Sequence, residues 1–242
     1  MNFNHYIVLC LFALLPVGGY AATEITQRNE LVTEKVPRPD HIWVYDFAAT
    51  AADLPADSAL AGQASEHSTP QTPEQIDIGR KVGAELAADL VKLIQDMGMP
   101  AKRATAQSKP QINDIVIRGY IVSVIDGDEK KRIAIGFGEG ASEVKAAAEG
   151  FQMTDHGLRK LGGGSAHSTG GKKPGADLGV VGVIATHNPL GLIVSTGMKV
   201  HDEKTGASTI EGRAEDIARE IASVLGQRFT EQGWIEKPLN GK

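Results

Sequence analysis

Residues 136–149 read GFGEGASEVKAAAE, and the fold turns on whether their second half is a helix or a strand. Intrinsic propensity favours a helix from Ala141 to Glu149, because Ala and Glu are good helix formers. An extended reading instead sets Val144, Ala146 and Ala148 on one face and runs on into Phe151-Gln152-Met153-Thr154. We take the extended reading. The glycines ahead of it are spaced G-x-G-x-G, not G-x-G-x-x-G, and no Gly-Lys-Ser/Thr is present, so a phosphate-binding turn over Gly136–Gly140 is the lesser alternative.

Working outward, residues 114–125 (DIVIRGYIVSVI) read as a long strand. Asp126-Gly127-Asp128 turns the chain, and residues 132–135 begin the return. Residues 100–105 suit a short strand, and residues 42–47 (IWVYDF) suit a first one, rich in aromatic and β-branched side chains. Residues 48–71, loaded with Ala, Ser, Asp and Pro, are expected as a mobile flap or a partly disordered loop. On the other side, residues 157–175 carry Gly162, Gly163, Gly164, Gly170 and Gly171 beside Lys172 and Lys173. They are expected as a solvated loop, with an anion cradle at Gly170–Lys173 as the alternative.

Two helices frame these strands. Thr72-Pro73-Glu74-Gln75 is a helix start, with a capping hydroxyl, proline in the first turn and acceptors for free amides. Ile78, Val82, Leu86, Leu90, Leu93, Ile94 and Met97 recur at helical spacing, and Gly98 stops the run. Near the C-terminus, Ser208-Thr209-Ile210-Glu211 reads as a capping box. Ile210, Ala214, Ile217, Ile221, Leu225 and Phe229 form the apolar face that follows, closed by Gly233-Trp234-Ile235.

Residues 178–198 (LGVVGVIATHNPLGLIVSTGM) contain no Asp, Glu, Lys or Arg, yet four glycines and Asn188-Pro189 interrupt them. A helical hairpin, a pair of short buried strands and a membrane span all suit parts of this run. Pro189 argues against the span, because lipid cannot replace the backbone donor that it removes. The expectation is a close-packed hairpin whose outer face meets a membrane or a partner. Its candidate interaction residues are Gly179, Val181, Gly182, Gly191, Val194 and Gly197.

Length, charge and the N-terminus bound the function class. The 242 residues suit one domain with extensions. A net charge of −5 argues against a nucleic-acid surface, which needs concentrated Lys and Arg. Residues 1–21 read as a secretory signal: an apolar stretch over residues 6–16, then the small residues Gly19 and Ala21 around Tyr20. The sole cysteine, Cys10, lies inside that stretch behind Leu9, a poor position for lipid attachment. Removal of the signal would leave no thiol chemistry at all.

The histidines beyond the signal are His41, His67, His156, His167, His187 and His201, and no two have helix-spaced metal-ligand separation. There is no His-Glu-x-x-His and no Gly-x-Ser-x-Gly. Asp155-His156, His201-Asp202-Glu203 and the Asp126/Asp128 pair fall where turns are expected anyway. No catalytic, metal or cofactor residues are expected.

Val44-Tyr45-Asp46-Phe47, the helix ending near Gly98, Gly119, Gly136-Phe137-Gly138-Glu139-Gly140-Ala141-Ser142, Phe151-Gln152-Met153-Thr154, Ile210-Glu211-Gly212-Arg213 and Gly233-Trp234-Ile235 fall in order. Together they resemble the family called domain of unknown function 4410, over most of residues 40–235. That resemblance implies an exported bacterial protein without an assigned activity, and it carries no catalytic residues. At fold level the opening strands and helix are also similar to the N-terminal domains of periplasmic translocation proteins and of the curli-secretion lipoprotein.

These observations predict an α+β domain over residues 41–235, with a mostly antiparallel sheet covered by two long helices and a Gly-rich apolar hairpin at 178–198. Residues 1–21 form the signal, 22–40 an exposed leader and 236–242 a tail. The function expected is a non-enzymatic cell-envelope protein, periplasmic or outer-membrane-associated, that binds a protein partner or the membrane. Homo-oligomerisation is compatible with this. A periplasmic small-ligand or phosphate-binding protein is the alternative.

Overall fold

The computed structural model describes residues 22–30, 34–54, 71–125, 143–169, 193–194 and 210–236. In chain order the elements are β1 (Ala22–Glu30), β2 (Ile42–Val44), α1 (Pro73–Asp96), β3 (Ala101–Arg103), β4 (Ile115–Ile125), β5 (Glu143–Thr154), β6 (Gly157–Thr169), β7 (Ile193–Val194) and α2 (Ile210–Gln232). A short 3-10 turn spans Ala51–Asp53.

β5 settles the opening question in favour of the strand. It pairs antiparallel with β4 on one side and β6 on the other. Sheet partners on both edges, with Val144 and Ala146 fully buried, outweigh the modest helix preference of the alanines. The strand order is β1-β6-β5-β4-β2-β3, with β7 also pairing β4. The sheet is mixed: its long pairings are antiparallel, whereas β2 runs parallel to both β3 and β4, and β7 runs parallel to β4. β2, the Ala48 bridge to Tyr120 and β7 follow one another along a single edge of β4.

Both helices lie on one face of the sheet and also pack on each other. α1 begins as its sequence dictates. The Gln75 amide donates to Thr72 Oγ1 at 3.3 Å, and the Thr72 amide donates to Gln75 Oε1 at 2.8 Å. It ends at Gly98, whose φ of +80° is open to glycine at no steric cost. Val82, Leu86, Leu90 and Ile94 are buried along one stripe. Each such side chain removed from water contributes roughly 1.5–3 kcal/mol. From α2, Ala214, Ile217, Ile221 and Phe229 are buried, and Leu225 and Ile210 pack against the same core. Facing them are Ile42, Val44, Ile115, Ile117, Ile121, Val144, Ala146 and Ala166.

Two expectations are corrected. The supposed exposed leader at 22–40 contains β1, paired with β6 from Ala22↔Thr169 to Glu30↔Gly162, and Val36 is buried. Its polar composition suits an edge strand, which faces water along one side. The supposed solvated loop from residue 157 is β6 as far as Thr169. Asp155 and His156 form the tight turn of its hairpin with β5, with Gly157 at φ +101°. Glycines weaken a strand in isolation, but here the ladders to β1 and β5 hold them extended.

The expected loop at 48–71 is anchored at its start. Asp53 accepts from the Thr50 amide at 2.9 Å and pairs with Arg80 of α1 at 2.8 Å. Burial opposes the charge on Asp53, but hydrogen bonds from Arg80 and Thr50 outweigh it and hold the carboxyl below its ordinary value. The signal, the Ser208 cap, the turn at residues 126–128 and most of residues 178–198 lie outside the described residues.

Candidate functional site

A cavity of about 160 Å³ lies between the sheet and α2, and its lining is almost wholly apolar. Its floor follows from strand register. Gly150 of β5 sits opposite Ile117 of β4 on one side and Gly162 of β6 on the other. The next row on the same face pairs Ala148 with Gly164. On β5 and β6 these rows carry nothing larger than a methyl group, which leaves room beneath the helix there. A Cβ added at Gly150 would meet nothing within 4 Å, which identifies open space directly above it. The register shift after Gly150 leaves Leu161 as the extra residue of a β-bulge, partly buried against the core and lining the cavity.

Ile221, Val224, Leu225 and Phe229 of α2 form the roof. Trp234 packs beside Phe229, with ring centroids 5.5 Å apart. One end is closed by a clamp across the chain. The Trp234 indole donates to the Val36 carbonyl at 3.1 Å. The Val36 amide donates to Gln232 Oε1 at 2.8 Å, and Gln232 Nε2 donates to the Glu34 carbonyl at 3.2 Å. The charged groups at the rim are already paired, Glu34 with Arg159 and Arg228 with Glu231. Packed cores keep few voids larger than a water molecule. An apolar, concave space of this size is therefore a candidate binding site.

Two polar groupings lie elsewhere. On the opposite face of the sheet, the Arg118 guanidinium stacks 5.5 Å from the Tyr45 ring and 5.8 Å from that of Phe151. Glu149 pairs there with Lys160, and burial, aided by the Glu149 charge, raises the phenol of Tyr120 above its ordinary range. Along the α1–α2 seam, burial raises Glu85 and Asp89 above the ordinary carboxylate range. Lys81 and Arg219 offset this in part, while Glu211 and Glu215 add like charge. Among the described residues no group of three or more His, Cys, Asp and Glu is placed to hold a metal ion. No described helix is long and apolar enough to cross a membrane.

Of the residues singled out in the sequence, Val194 lies in β7, paired alongside Val124 of β4. Gly179, Val181, Gly182, Gly191 and Gly197 lie outside the described residues, as do Gly136–Gly140 and Gly170–Lys173. The cavity residues Gly150, Leu161, Gly162, Gly164, Leu225 and Gln232 were not singled out as a site. The available sign was a triple glycine, Gly162–Gly164, a few residues past a turn at Asp155–Gly157, within a segment long enough to be a strand.

No curated protein matches the chain. Among solved structures, it is similar to a PelC dodecamer from Paraburkholderia phytofirmans, at 10% identity and a TM-score of 0.40, covering 84% of this chain and 96% of that one. A single-substitution variant of the same protein matches at 12% identity and a TM-score of 0.32, covering 64% and 85%. Likenesses at this level carry no argument about this chain. The sequence match is the informative one: residues 42–185, more than half of the chain, fit the family described as domain of unknown function (DUF4410), and the chain belongs to that family.

Proposed function

We propose that this chain is a non-enzymatic, exported protein of the bacterial cell envelope that acts by binding an apolar group from a partner or from the membrane. The observation that carries the binding reading is the apolar cavity between the glycine rows of β5 and β6 and the roof of α2. Export rests on the uncharged apolar start with small residues at Gly19 and Ala21. A cut after Ala21 would leave β1, which starts at Ala22, entire. The second reading, a small-ligand protein, is favoured by the same cavity and takes an apolar ligand rather than phosphate.

The test places a photocrosslinking side chain at Val224, on the roof, in cells. Fractionation and N-terminal sequencing follow. The expected result is a mature terminus near Ala22 and envelope-dependent adducts. An intact Met1 terminus in the cytoplasmic fraction, with no adduct, would overturn the proposal.

A further inference from the structure

We infer that the cavity takes one neutral hydrocarbon group of about six carbons, a single ring or the end of an acyl chain, with any polar part left outside the mouth. This rests on the binding reading above and names its ligand class.

Three observations carry it. The first is chemistry: the floor is built from paired strand backbone and small residues of β5 and β6, and the lining is almost wholly apolar. A charged or hydrogen-bonding group inside would lose water and gain no partner. The second is size. An apolar protein cavity of about 150 Å³ lined by Leu, Ile and Phe admits benzene, and this one is about 160 Å³, lined by Ile117, Leu161, Leu225 and Phe229 among others. The third is the rim, where Glu34 pairs with Arg159 and Arg228 pairs with Glu231, while the Gln232 amide, bound to the backbone of Glu34 and Val36, closes one end. The rim is therefore committed to holding the structure together rather than to selecting a charged head.

The chain provides its own reporters. Its two tryptophans are Trp43 and Trp234. Trp234 lines the cavity, whereas the Trp43 indole donates to Asp114. The purified chain is titrated with benzene, and separately with octyl glucoside below its micelle concentration, while both indole N–H signals are followed by NMR. A third arm adds phosphatidylglycerol vesicles containing a lipid spin-labelled near the end of one acyl chain. The expected result is a saturable shift of the Trp234 signal with Trp43 unmoved. Gly150→Leu, which fills the cavity, should weaken binding by on the order of tenfold or more. Gly150→Ala adds one methyl to open space, keeps the fold, and should weaken it by a smaller factor.

Benzene alone acting would identify a free small molecule as the source of the group. Octyl glucoside acting, together with broadening of Trp234 by the spin label, would identify a lipid chain. No shift with any probe would overturn the inference, as would binding unchanged in both Gly150 variants. Protein adducts at Val224 without any probe binding would also overturn it, while leaving the envelope-binding proposal standing. Probe binding by a chain absent from the envelope would do the reverse.

Discussion

The ring of Phe47 occupies the space that a side chain on Gly119 would need: a Cβ built there would lie 2.2 Å from Phe47 Cε1. Gly83 of α1 closes on the same residue from the other side, with a built Cβ 2.1 Å from the Phe47 carbonyl oxygen. The Phe47 amide donates to the Gly83 carbonyl at 3.2 Å. Two glycines far apart in sequence thus clasp one buried residue, Gly119 at its ring and Gly83 at its backbone, and they set how closely α1 approaches the edge of β4.

Gly119→Ala and Gly83→Ala should each destabilise the fold by roughly 1–3 kcal/mol or more, because the obstacle at Gly83 is backbone and cannot rotate away. Gly226→Ala is the contrasting case. Its neighbour is the flexible Met97 thioether at 3.0 Å, and the gain in helix propensity of about 1 kcal/mol offsets the crowding. Urea denaturation of the three variants tests this; equal stabilities across the set would refute the clasp.

Asp114 is a buried staple rather than a reactive group. Its carboxylate accepts from the His41 amide at 3.1 Å, the Trp43 indole at 2.8 Å and the Gln111 amide at 2.8 Å. It thereby holds the start of β2 to the start of β4. Asp114→Ala leaves these donors without their partner and should cost about 2–4 kcal/mol. Asp114→Leu should do no better. A melting temperature within a degree of the parent would remove the staple from the account.

Leu86 and Leu90 are fully buried in the contact of α1 with the core. Leu86→Asp or Leu90→Asp should unfold the domain, since an unpaired carboxylate would have to enter apolar surroundings. Far-ultraviolet circular dichroism and melting check this. A variant that melts like the parent would mean that α1 is not core.

The α1–α2 seam predicts a pH dependence. Burial, with like charge from Glu211, raises Glu85 above its ordinary 4.5, and burial with Glu215 raises Asp89 above its ordinary 3.8. A folded-state carboxyl that is raised binds protons more readily than the unfolded one. Its stabilising contribution is complete below the ordinary value and is lost as pH rises through the folded one. Glu85→Gln with Asp89→Asn should therefore raise stability at pH 7, by about 0.5 kcal/mol or less because both groups are partly open to water. The gain should shrink as pH falls towards 4. A gain that grows on acidification would reverse the assignment.

Local physics alone determined both helices, because each carries its own instructions. Thr72 and Gln75 cap α1, Gly98 stops it, and apolar residues every three or four positions choose the buried stripe in both helices. β4 was equally legible from its run of β-branched residues. β1 and β6 were not. Their many polar and glycine residues give only a weak local preference for extension, and pairing supplies the rest, from β5 across a tight turn for one edge of β6 and from far along the chain between β1 and β6. The site was hidden for the same reason. Gly150 and Gly162 become one row only through the register of β5 on β6. Gln232 finds Val36 across 196 positions of sequence. Residue identity set what each side chain could contribute, but whether small residues left a weak strand or hollowed a cavity depended on which neighbours the tertiary structure brought against them.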